Sequence, residues 1–461
     1  MNTSVCRSNL LLKTRRALLM ARSSSTLAAV ALLSVTLLIG CSREERQVSR
    51  VEPEPAPPAG PPAPEWEEES EDAIAALEEA GFILSRNDAG VVVELAVNST
   101  TGIADSLEHL SGVPNVLIAR FSGPGMDDAG MDQLAELSRL QRLDLSDSAI
   151  GNATMIPVGS LENLEALFLR RTSVTNEGLE ELVGLPKLRA IDLRNSNVGD
   201  PAMSTLAKIP TLVDVQLEKS KVTDEGIAKL GELPLKSINV NYCPAISNDS
   251  MEVLGEVSTL ESLQTDYTKI NDQGMAELSD LNRLKRVRIR GCDVTGKGIA
   301  AIQGNPNLER LELRDSSVDD DGLEILSSIP SITYLDISEC RLPSPEGIAK
   351  LGELTGLTYL GLWETKTNDE TMAAFGDLTE LRELNLKSAS VGDESLPILL
   401  KMTRLENLNL AGTLFSDESF REIGKLPHLK VLNVANTGIG YDTIDELIES
   451  RPDLQVVEFE N

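Results

Sequence analysis

Histidine and cysteine, the side chains best suited to nucleophilic or metal chemistry, are few in this sequence. His109 and His428 lie near opposite ends of the repeats, so we expect them to form no catalytic Ser–His or Cys–His arrangement together. Cys243, Cys292 and Cys340 follow one another at nearly equal intervals, two units of a repeat apart. In a stacked sheet two units span about 10 Å, too far for a disulfide or a shared metal ion. We therefore expect three small buried side chains without chemistry.

Acidic residues are abundant, but their arrangement does not predict an enzyme. Residues 319–322 (DDDG) could suggest a calcium site. They occupy the same place in their repeat as residues 175–178 (TNEG), however, where the start of a helix is the better interpretation. Paired carboxylates are numerous, and the sequence has no glycine-rich phosphate loop. We therefore predict no catalytic residue, no metal ion and no cofactor, and hence no enzyme.

The most informative side chains are arginines and aromatics that alternate with aliphatic residues. Val287 and Ile289 are expected to point inward, so the arginines that flank them point out of the same strand. Later repeats place two more arginines, and then aromatic rings, at equivalent positions. Such side chains anchor many binding surfaces, and guanidinium groups pair with carboxylates or phosphates. The predicted ligand-binding residues are Arg286, Arg288, Arg290, Arg310, Arg314, Tyr334, Tyr359 and Trp363.

A purely structural explanation of these side chains is the alternative to this hypothesis. Arg288 and Arg290 could instead pair with acids on neighbouring repeats, namely Glu312, Asp315 or Asp336, and the aromatics could be ordinary cross-strand packing.

Two further groups of side chains are expected to point outward. A smaller outward group consists of Phe168, Arg170, Arg171 and Arg194. Later repeats carry an uncharged outward row formed by Asn385, Asn409 and Asn433.

A repeat of about 24 residues sets all these positions. Residues 164–185 begin with a short alternating strand and continue with a helical face of leucines at 179, 182 and 185. Residues 188–209 and 212–233 show the same pattern again. One unit cannot bury its apolar side alone, whereas stacked units can. The period therefore predicts a solenoid with parallel strands.

The spacing L-x-x-L-x-L-x-x-N/C/T-x-L resembles that of the leucine-rich-repeat family over about residues 91–461. The sequence V-T-D-E-G-I at residues 222–227 looks like the repeats of secreted bacterial proteins. Residues 243–248, C-P-A-I-S-N, are similar to the cysteine-containing repeats of F-box proteins. The resemblance implies an α/β solenoid, or horseshoe, of about 16 coils with a parallel concave β-sheet and short convex helices. Its first strand centre is then Leu95 and its last Val457.

The first 40 residues predict a lipoprotein signal peptide. Five basic residues and no acid precede an apolar run at residues 27–39, and residues 38–41 (LIGC) resemble a bacterial lipobox. The resemblance implies that Cys41 carries the lipid and becomes the mature N-terminus. An uncleaved membrane anchor is the alternative, although the apolar run is short for a span.

Two segments link this predicted signal peptide to the repeats. Residues 41–72 comprise the lipidated cysteine and a tether rich in proline and glutamate, which should be extended and semi-rigid. Residues 73–97 are expected to form an N-terminal cap, with a helix over 73–80 that Gly81 ends and a hairpin that turns at residues 87–90. The repeats are predicted to span residues 91–461.

Charge and organisation narrow the function. The formal net charge is −31, and about −36 without the basic start, which argues against nucleic acid as a partner. We predict a membrane-anchored lipoprotein of the cell envelope, facing the periplasm or the exterior, that binds a protein partner through its concave face and the membrane through its lipid. The alternatives are a binder of cell-wall glycans and a substrate-recognition adaptor of an enzyme complex, although no F-box segment is present.

Overall fold

A computed structural model of the chain describes residues 65–459. The predicted signal peptide, the predicted lipidation site Cys41 and the predicted tether as far as residue 64 lie outside these residues. Within them, short helices alternate with short strands along the chain, and the strands form one sheet. None of the helices of residues 65–459 is long and apolar enough to cross a membrane.

The sheet has 17 strands, of which the first two form an antiparallel hairpin. From β2 onward each strand is parallel to the next strand in sequence. The strands are β1 Ile83–Arg86, β2 Val92–Asn98, β3 Ile118–Ser122, β4 Arg142–Asp144, β5 Ala166–Phe168, β6 Ala190–Asp192, β7 Asp214–Gln216, β8 Ser237–Asn239, β9 Ser262–Gln264, β10 Arg286–Arg288, β11 Arg310–Glu312, β12 Tyr334–Asp336, β13 Tyr359–Gly361, β14 Glu383–Asn385, β15 Asn407–Asn409, β16 Val431–Asn433 and β17 Gln455–Val457.

The segments that return from each strand to the next are α-helices or 3-10 helices. The α-helices are α1 Glu71–Glu79, α2 Asn152–Val158, α3 Asp200–Leu206, α4 Asp224–Leu230, α5 Asn248–Gly255, α6 Asp272–Ala276, α7 Gly296–Ala300, α8 Asp320–Ser327, α9 Pro345–Ala349, α10 Asp369–Ala373, α11 Leu396–Leu399, α12 Asp417–Ile423 and α13 Tyr441–Ser450. The 3-10 helices are Ala104–Gly112, Met131–Glu136, Gly178–Leu182, Lys350–Glu353 and Asp393–Ser395.

The core is a continuous stack of inward-pointing aliphatic side chains. Leu167, Ile191 and Val215 lie opposite one another in register on β5, β6 and β7, and all are buried. The predicted strand centres from Leu95 onward follow the same register as far as Leu432. The last centre is an exception, because Val456 and not the predicted Val457 lies opposite Leu432. A shift by one residue moves a side chain to the opposite face of the sheet, so Val457 points outward, beside Asn433 of β16.

Acidic and amide side chains at the convex segments join each coil to the next. Asp200, the first residue of α3, accepts a hydrogen bond from the backbone N–H of Thr223 at 2.8 Å, one coil later. The contact recurs along the solenoid, which gives many of the acids a structural role. The side chains that accept in this way are Asp128, Asn152, Asn176, Asp200, Asp224, Asn248, Asp272, Asp320, Asp369, Asp393 and Asp417.

The two predicted helix starts have different outcomes. Asp319 caps α8 by accepting from the N–H of Gly322 at 3.0 Å, as the helix interpretation of residues 319–322 predicts. After residues 175–178 the chain forms the 3-10 helix Gly178–Leu182, which no side chain caps. Asn176 accepts instead from the N–H of Gly199 in the next coil, at 3.2 Å. A helix therefore starts there as predicted, but the expected side-chain cap is wrong.

A residue in the left-handed conformation follows each strand from β3 to β16. This conformation costs a non-glycine residue about 1–2 kcal/mol, but from Gly123 to Gly412 each such N–H donates to a carbonyl of the next coil. The N–H of Tyr267, with φ of 52°, donates to the carbonyl of Arg290 at 2.7 Å. The residues of this left-handed row are Gly123, Asp147, Arg171, Asn195, Lys219, Tyr242, Tyr267, Gly291, Asp315, Glu339, Glu364, Ser388, Gly412 and Asn436.

The three cysteines of residues 65–459 are buried free thiols, as predicted. Burial raises the pKa of each thiol, that of Cys340 to about 11, so all three stay protonated. Residues 65–459 contain no group of three or more His, Cys, Asp or Glu side chains placed to hold a metal ion. Each thiol lies 3.2 Å from a carbonyl oxygen of the preceding coil, the acceptors being Leu217, Thr265 and Leu313.

The first described elements pack against the first coils. α1 begins after Ser70, whose hydroxyl accepts from the N–H of Ala73 at 3.3 Å, slightly earlier than the sequence predicts. The chain then turns at Gly81, which has a φ of 90°. Leu77 of α1 is fully buried, and α1 contacts the 3-10 helix Ala104–Gly112. The hairpin of β1 and β2 supplies the first parallel partner, β2, to β3.

Candidate functional site

The register of β10 to β13 brings the predicted binding residues together on the face of the sheet that points away from the core. Arg286 lies opposite Arg310, Arg310 opposite Tyr334, and Tyr334 opposite Tyr359. We call this region, with two further tyrosines described below, the central surface. It comprises Tyr242, Tyr267, Arg286, Arg288, Arg290, Arg310, Arg314, Tyr334, Tyr359 and Trp363.

A buried aspartate that the sequence did not single out lies beneath two of these arginines. The side chain of Asp266 is fully buried, 2.7 Å from Nε of Arg288 and 3.7 Å from Nε of Arg290. Its Oδ1 atom also accepts from the backbone N–H of Arg290 at 3.0 Å. Burial raises the pKa of Asp266 above its ordinary value, although both guanidinium groups oppose the rise. The arginines therefore compensate only part of the cost of burying this carboxylate.

A second nearly buried carboxylate, Glu312, is shared by three arginines. Its side chain is 6% exposed and lies 3.0 Å from Arg286, 3.5 Å from Arg288 and 2.8 Å from Arg310. Burial opposes ionisation of Glu312, but the hydrogen bond from Arg310 and the three positive charges outweigh it, so its pKa lies below the usual range. The fold therefore favours the ionised form of Glu312, whereas it disfavours the ionised form of Asp266.

The pairing alternative drawn from the sequence is confirmed for Arg288 and wrong for Arg290. Arg288 lies near Glu312, as that alternative expected, but its nearest partner is Asp266. Arg290 pairs with Asp266 and with none of the three expected acids. Asp266 stands two residues beyond β9, at the position that Arg290 holds after β10. It escaped the sequence argument because that argument considered only the outward arginines and aromatics of later coils.

Several polar atoms of the central surface are buried without a hydrogen-bond partner. Across residues 65–459, six buried side-chain nitrogen or oxygen atoms lack a partner, and five of them belong to this surface or to the aspartate beneath it. Four of the five are donors. They are Nε of Arg286, Arg288 and Arg290 and the indole nitrogen of Trp363; the fifth is Oδ2 of Asp266. Nε of Arg288 is within ion-pair distance of that oxygen, but the two atoms are not aligned for a hydrogen bond.

The aromatic rings extend the arginine cluster across two more coils. The guanidinium carbon of Arg310 lies 3.6 Å from the ring centre of Tyr334, which stacks on Tyr359 with centroids 3.9 Å apart and planes 5° apart. The guanidinium carbon of Arg314 lies 4.3 Å from the ring centre of Trp363, and its Nε pairs with Glu339. The rings therefore order the arginines through cation–π contact as well as through ion pairs.

Sequence reasoning missed a second tyrosine pair on the same face. Tyr242 and Tyr267 stack with centroids 5.0 Å apart, and each is 37% exposed. The Tyr267 ring lies across Gly291, where an added Cβ would be 2.3 Å from ring carbons, and its hydroxyl donates to Asp315 at 3.3 Å. Both tyrosines occupy the left-handed row, immediately before the N/C/T position of their repeat. That fixed offset is the signal that could have found them.

The smaller arginine group near the N-terminal coils is already paired. Arg170 and Arg171 both bind Asp147, and Arg194 binds Asp192 at 2.6 Å. Burial of Asp147 is outweighed by these hydrogen bonds, which lower its pKa. Phe168 lies under the guanidinium of Arg142, at 4.1 Å from the ring centre.

Comparison with known proteins bears on the fold. A family model described as a leucine-rich repeat matches residues 304–327, and no curated protein matches the sequence. Among solved structures, an internalin of Listeria monocytogenes is 18% identical, covering 79% of this chain and 94% of that one, with a TM-score of 0.47. A leucine-rich-repeat protein of Leptospira interrogans is 15% identical over 78% and 99% of the two chains, with a TM-score of 0.47.

A third solved structure is the ectodomain of the Arabidopsis receptor kinase HAESA, in complex with a peptide hormone ligand. It is 14% identical, covers 84% of this chain and 73% of that one, and has a TM-score of 0.50. At these identities the likeness concerns the fold. The repeat period, the stacked parallel strands and the matched repeat model together show that this chain has the leucine-rich-repeat solenoid fold.

Proposed function

We propose that this chain is a non-enzymatic binding protein that holds a protein partner on the central surface. The observation that carries the proposal is the concentration there of buried donors that make no hydrogen bond, four of them on predicted binding residues. Two of the four, Nε of Arg288 and of Arg290, still lie within ion-pair distance of Asp266. An unpaired buried polar group is costly, and a ligand that accepts from it removes that cost. The aromatic content agrees, because four of the five tyrosines and one of the two tryptophans lie on this surface.

The unpartnered donors define the chemistry of the partner. Guanidinium and indole nitrogens donate hydrogen bonds, so the partner must present acceptors. Carboxylates fit best, since arginine forks bind them with two parallel hydrogen bonds. A partner segment carrying acidic side chains, with apolar groups beside them to contact the exposed part of Tyr242, meets these requirements.

Individual arginines of the surface have different roles in this proposal. Arg288 and Arg290 pair with the buried Asp266, so they must keep these ion pairs when a ligand binds. Their substitution would therefore affect stability as well as binding. Arg314 pairs with Glu339, whose side chain is 20% exposed and can be solvated when that arginine turns to a ligand. Arg314 and the adjacent Trp363 are therefore the residues to test first.

The cellular setting belongs to the same proposal. The order of basic residues, apolar run and Cys41 supports lipid anchoring in the cell envelope, and the proline-rich tether would hold the solenoid away from the lipid. The HAESA ectodomain, which has the same fold, was solved with a peptide hormone ligand, and that supports recognition of a peptide segment by analogy alone.

Site-specific photo-crosslinking tests where the partner binds. A benzophenone amino acid at Tyr267, in the full chain in native envelopes, should form an adduct with one protein, identified by mass spectrometry. The matched control carries the same group at Tyr441, an exposed tyrosine at the start of α13. Equal capture of the same protein from both positions would contradict the proposed site.

Affinity measurements with the identified partner then test the chemistry. Arg314→Ala combined with Trp363→Ala should weaken binding by about 30-fold or more, the effect of losing a hot-spot contact of about 2 kcal/mol. The control Arg404→Ala removes an exposed ion pair with Glu380 and should leave the affinity unchanged. An unchanged affinity in the double variant would assign these residues a purely structural role.

A further inference from the structure

A second, uncharged groove lies on the same sheet face beyond the central surface. It encloses about 270 Å³ over β13 to β17. One charged side chain, Glu383, contributes to its lining, in contrast to the central surface. The lining residues are Tyr359, Glu383, Leu384, Asn385, Asn407, Leu408, Asn409, Val431, Asn433 and Val457.

The orientation of the groove amides is set by the backbone. Oδ1 of Asn385 accepts from the N–H of Lys387 at 3.1 Å, and Oδ1 of Asn409 accepts from the N–H of Ala411 at 3.0 Å. The carbonyl end of each amide is thus engaged by the turn that follows its strand. Any further hydrogen bond of these side chains must be made mainly through the NH₂ groups. The two strands are adjacent, and these residues lie opposite each other in register.

Tyr359 lines one side of the groove, and small side chains follow the strands beyond it. One face of the Tyr359 ring stacks on Tyr334, and Tyr359 also lines the groove. At the outward position that Trp363 holds in its coil, β15 and β16 are followed by Ala411 and Ala435, each 1% exposed. The step from a bulky tryptophan to alanine leaves room for a ligand beside the ring.

These features identify an uncharged ligand that is rich in oxygen acceptors and has an apolar face. The amide groups repeat once per strand, about 4.8 Å apart. An extended peptide would present equivalent carbonyls only every two residues, about 6.6 Å apart, and would fall out of register. Each sugar of an extended β-1,4-linked glycan advances by close to one strand spacing. Successive sugars face alternate ways, but both edges of a sugar carry oxygen atoms, so each amide can meet an acceptor, and the C–H face of a sugar can stack on a tyrosine ring.

We propose that this groove binds an extended, uncharged β-linked glycan, with the NH₂ groups of Asn385 and Asn409 donating to sugar oxygens and Tyr359 stacking on a sugar ring. The groove shares Tyr359 with the central surface but contains none of its arginines. The amide contacts therefore do not depend on the function proposed above, and each proposal can fail alone.

Calorimetric titration of the full chain with chitotetraose and cellotetraose tests the proposal. The variant Asn385→Asp/Asn409→Asp keeps the oxygen that the turn needs and removes the NH₂ donors. Asp336 occupies the same row and accepts from the turn N–H of Ser338 in the same way, so the fold tolerates aspartate there. The matched control Asn195→Asp/Asn436→Asp makes the same charge change in the left-handed row, where Asp147 and Asp315 occur naturally.

At least one of the two glycans should bind, and the dissociation constant should rise tenfold or more in the groove variant while the control stays like the wild type. Arg314→Ala/Trp363→Ala should change glycan affinity by less than the groove variant does, which separates the two sites. Absence of binding by both glycans would overturn the proposal. So would equal affinity of the wild type and the groove variant, because the amide donors would then take no part.

Discussion

The central surface and the uncharged groove are built on the same backbone yet present opposite chemistry. In both, parallel strands of three residues lie in register, and a left-handed residue follows each strand. The central surface fills its outward positions with arginines above two buried carboxylates, whereas the groove fills them with amides and alanines. The repeat therefore fixes where side chains point, and the outward residues alone decide what each stretch of the face can bind.

The two regions also differ in how their polar groups are satisfied. Groove amides are engaged by the turn of their own coil, as for Asn385 and the N–H of Lys387. In the central surface, Asp266 depends on Arg288 and Arg290, one coil further along the chain. A single substitution should consequently be tolerated in the groove and costly in the central surface.

The largest effect should come from removing a guanidinium above a buried carboxylate. Arg288→Ala leaves the fully buried Asp266 with only the more distant Arg290, and breaking such a buried pair costs about 3–5 kcal/mol. Chemical denaturation of the full chain measures the loss. The same truncation of Arg314, whose partner Glu339 is partly solvated, should cost less than about 1 kcal/mol. Similar losses in the two variants would refute the distinction between supporting and ligand-facing arginines.

Two glycines of the left-handed row should respond unequally to alanine. Both have a positive φ, 63° at Gly291 and 69° at Gly412, so each substitution introduces strain of about 1–2 kcal/mol. At Gly291 the new Cβ would also meet the Tyr267 ring at 2.3 Å, whereas at Gly412 its nearest neighbour is Ser388 at 3.4 Å. Gly291→Ala should therefore lower the unfolding free energy further than Gly412→Ala.

The excess cost at Gly291 should vanish in a Tyr267→Ala background, since the ring that clashes is then absent. Denaturation of the four variants gives the coupling between the two positions as a double-mutant cycle. A zero coupling energy would mean that the ring does not rest on Gly291.

The two buried carboxylates should give opposite pH dependence of stability. The pKa of Glu312 is lowered in the fold, so its contribution is present above its unfolded value of 4.5 and is lost as pH falls through the folded value. The pKa of Asp266 is raised, so its ionisation weakens the fold as pH rises above 3.8. Between about pH 7 and pH 3, Glu312→Gln should reduce the loss of stability on acidification, and Asp266→Asn should increase it. Parallel pH profiles for the two variants would show that the carboxylates are equivalent.

The smallest effect concerns the left-handed turn in the groove region. Ser388 has a φ of 57°, and glycine adopts that conformation without steric cost. Ser388→Gly should raise the unfolding free energy by up to about 1 kcal/mol. Ser390→Gly, two residues later and outside the left-handed row, should lower it by a few tenths to about 1 kcal/mol. Destabilisation of both variants would show that the turn is held by contacts of the Ser388 side chain.

Much of the site could be predicted because strand alternation is a local rule. Given that Val287 and Leu311 point inward, Arg286, Arg288 and Arg310 must point outward, and the structure places them so. Alternation was not applied three residues beyond a strand, where Tyr242 and Tyr267 lie. At the C-terminus the count of the repeat, and not the alternation, was wrong by one residue, and it placed the last strand centre at Val457 where the register has Val456.

The sequence by itself determined the solenoid, the strand register as far as β16 and the composition of its outer face, because a 24-residue period must stack like on like to bury its leucines. Tertiary structure alone decided which outward groups meet. Pairing across coils depends on turn geometry, side-chain conformation and burial, none of which has a period. It therefore took the packed coils to show that Asp266 lies beneath the arginines, that donors of Arg288 and Trp363 remain unpartnered, and that the turns orient the amides of Asn385 and Asn409.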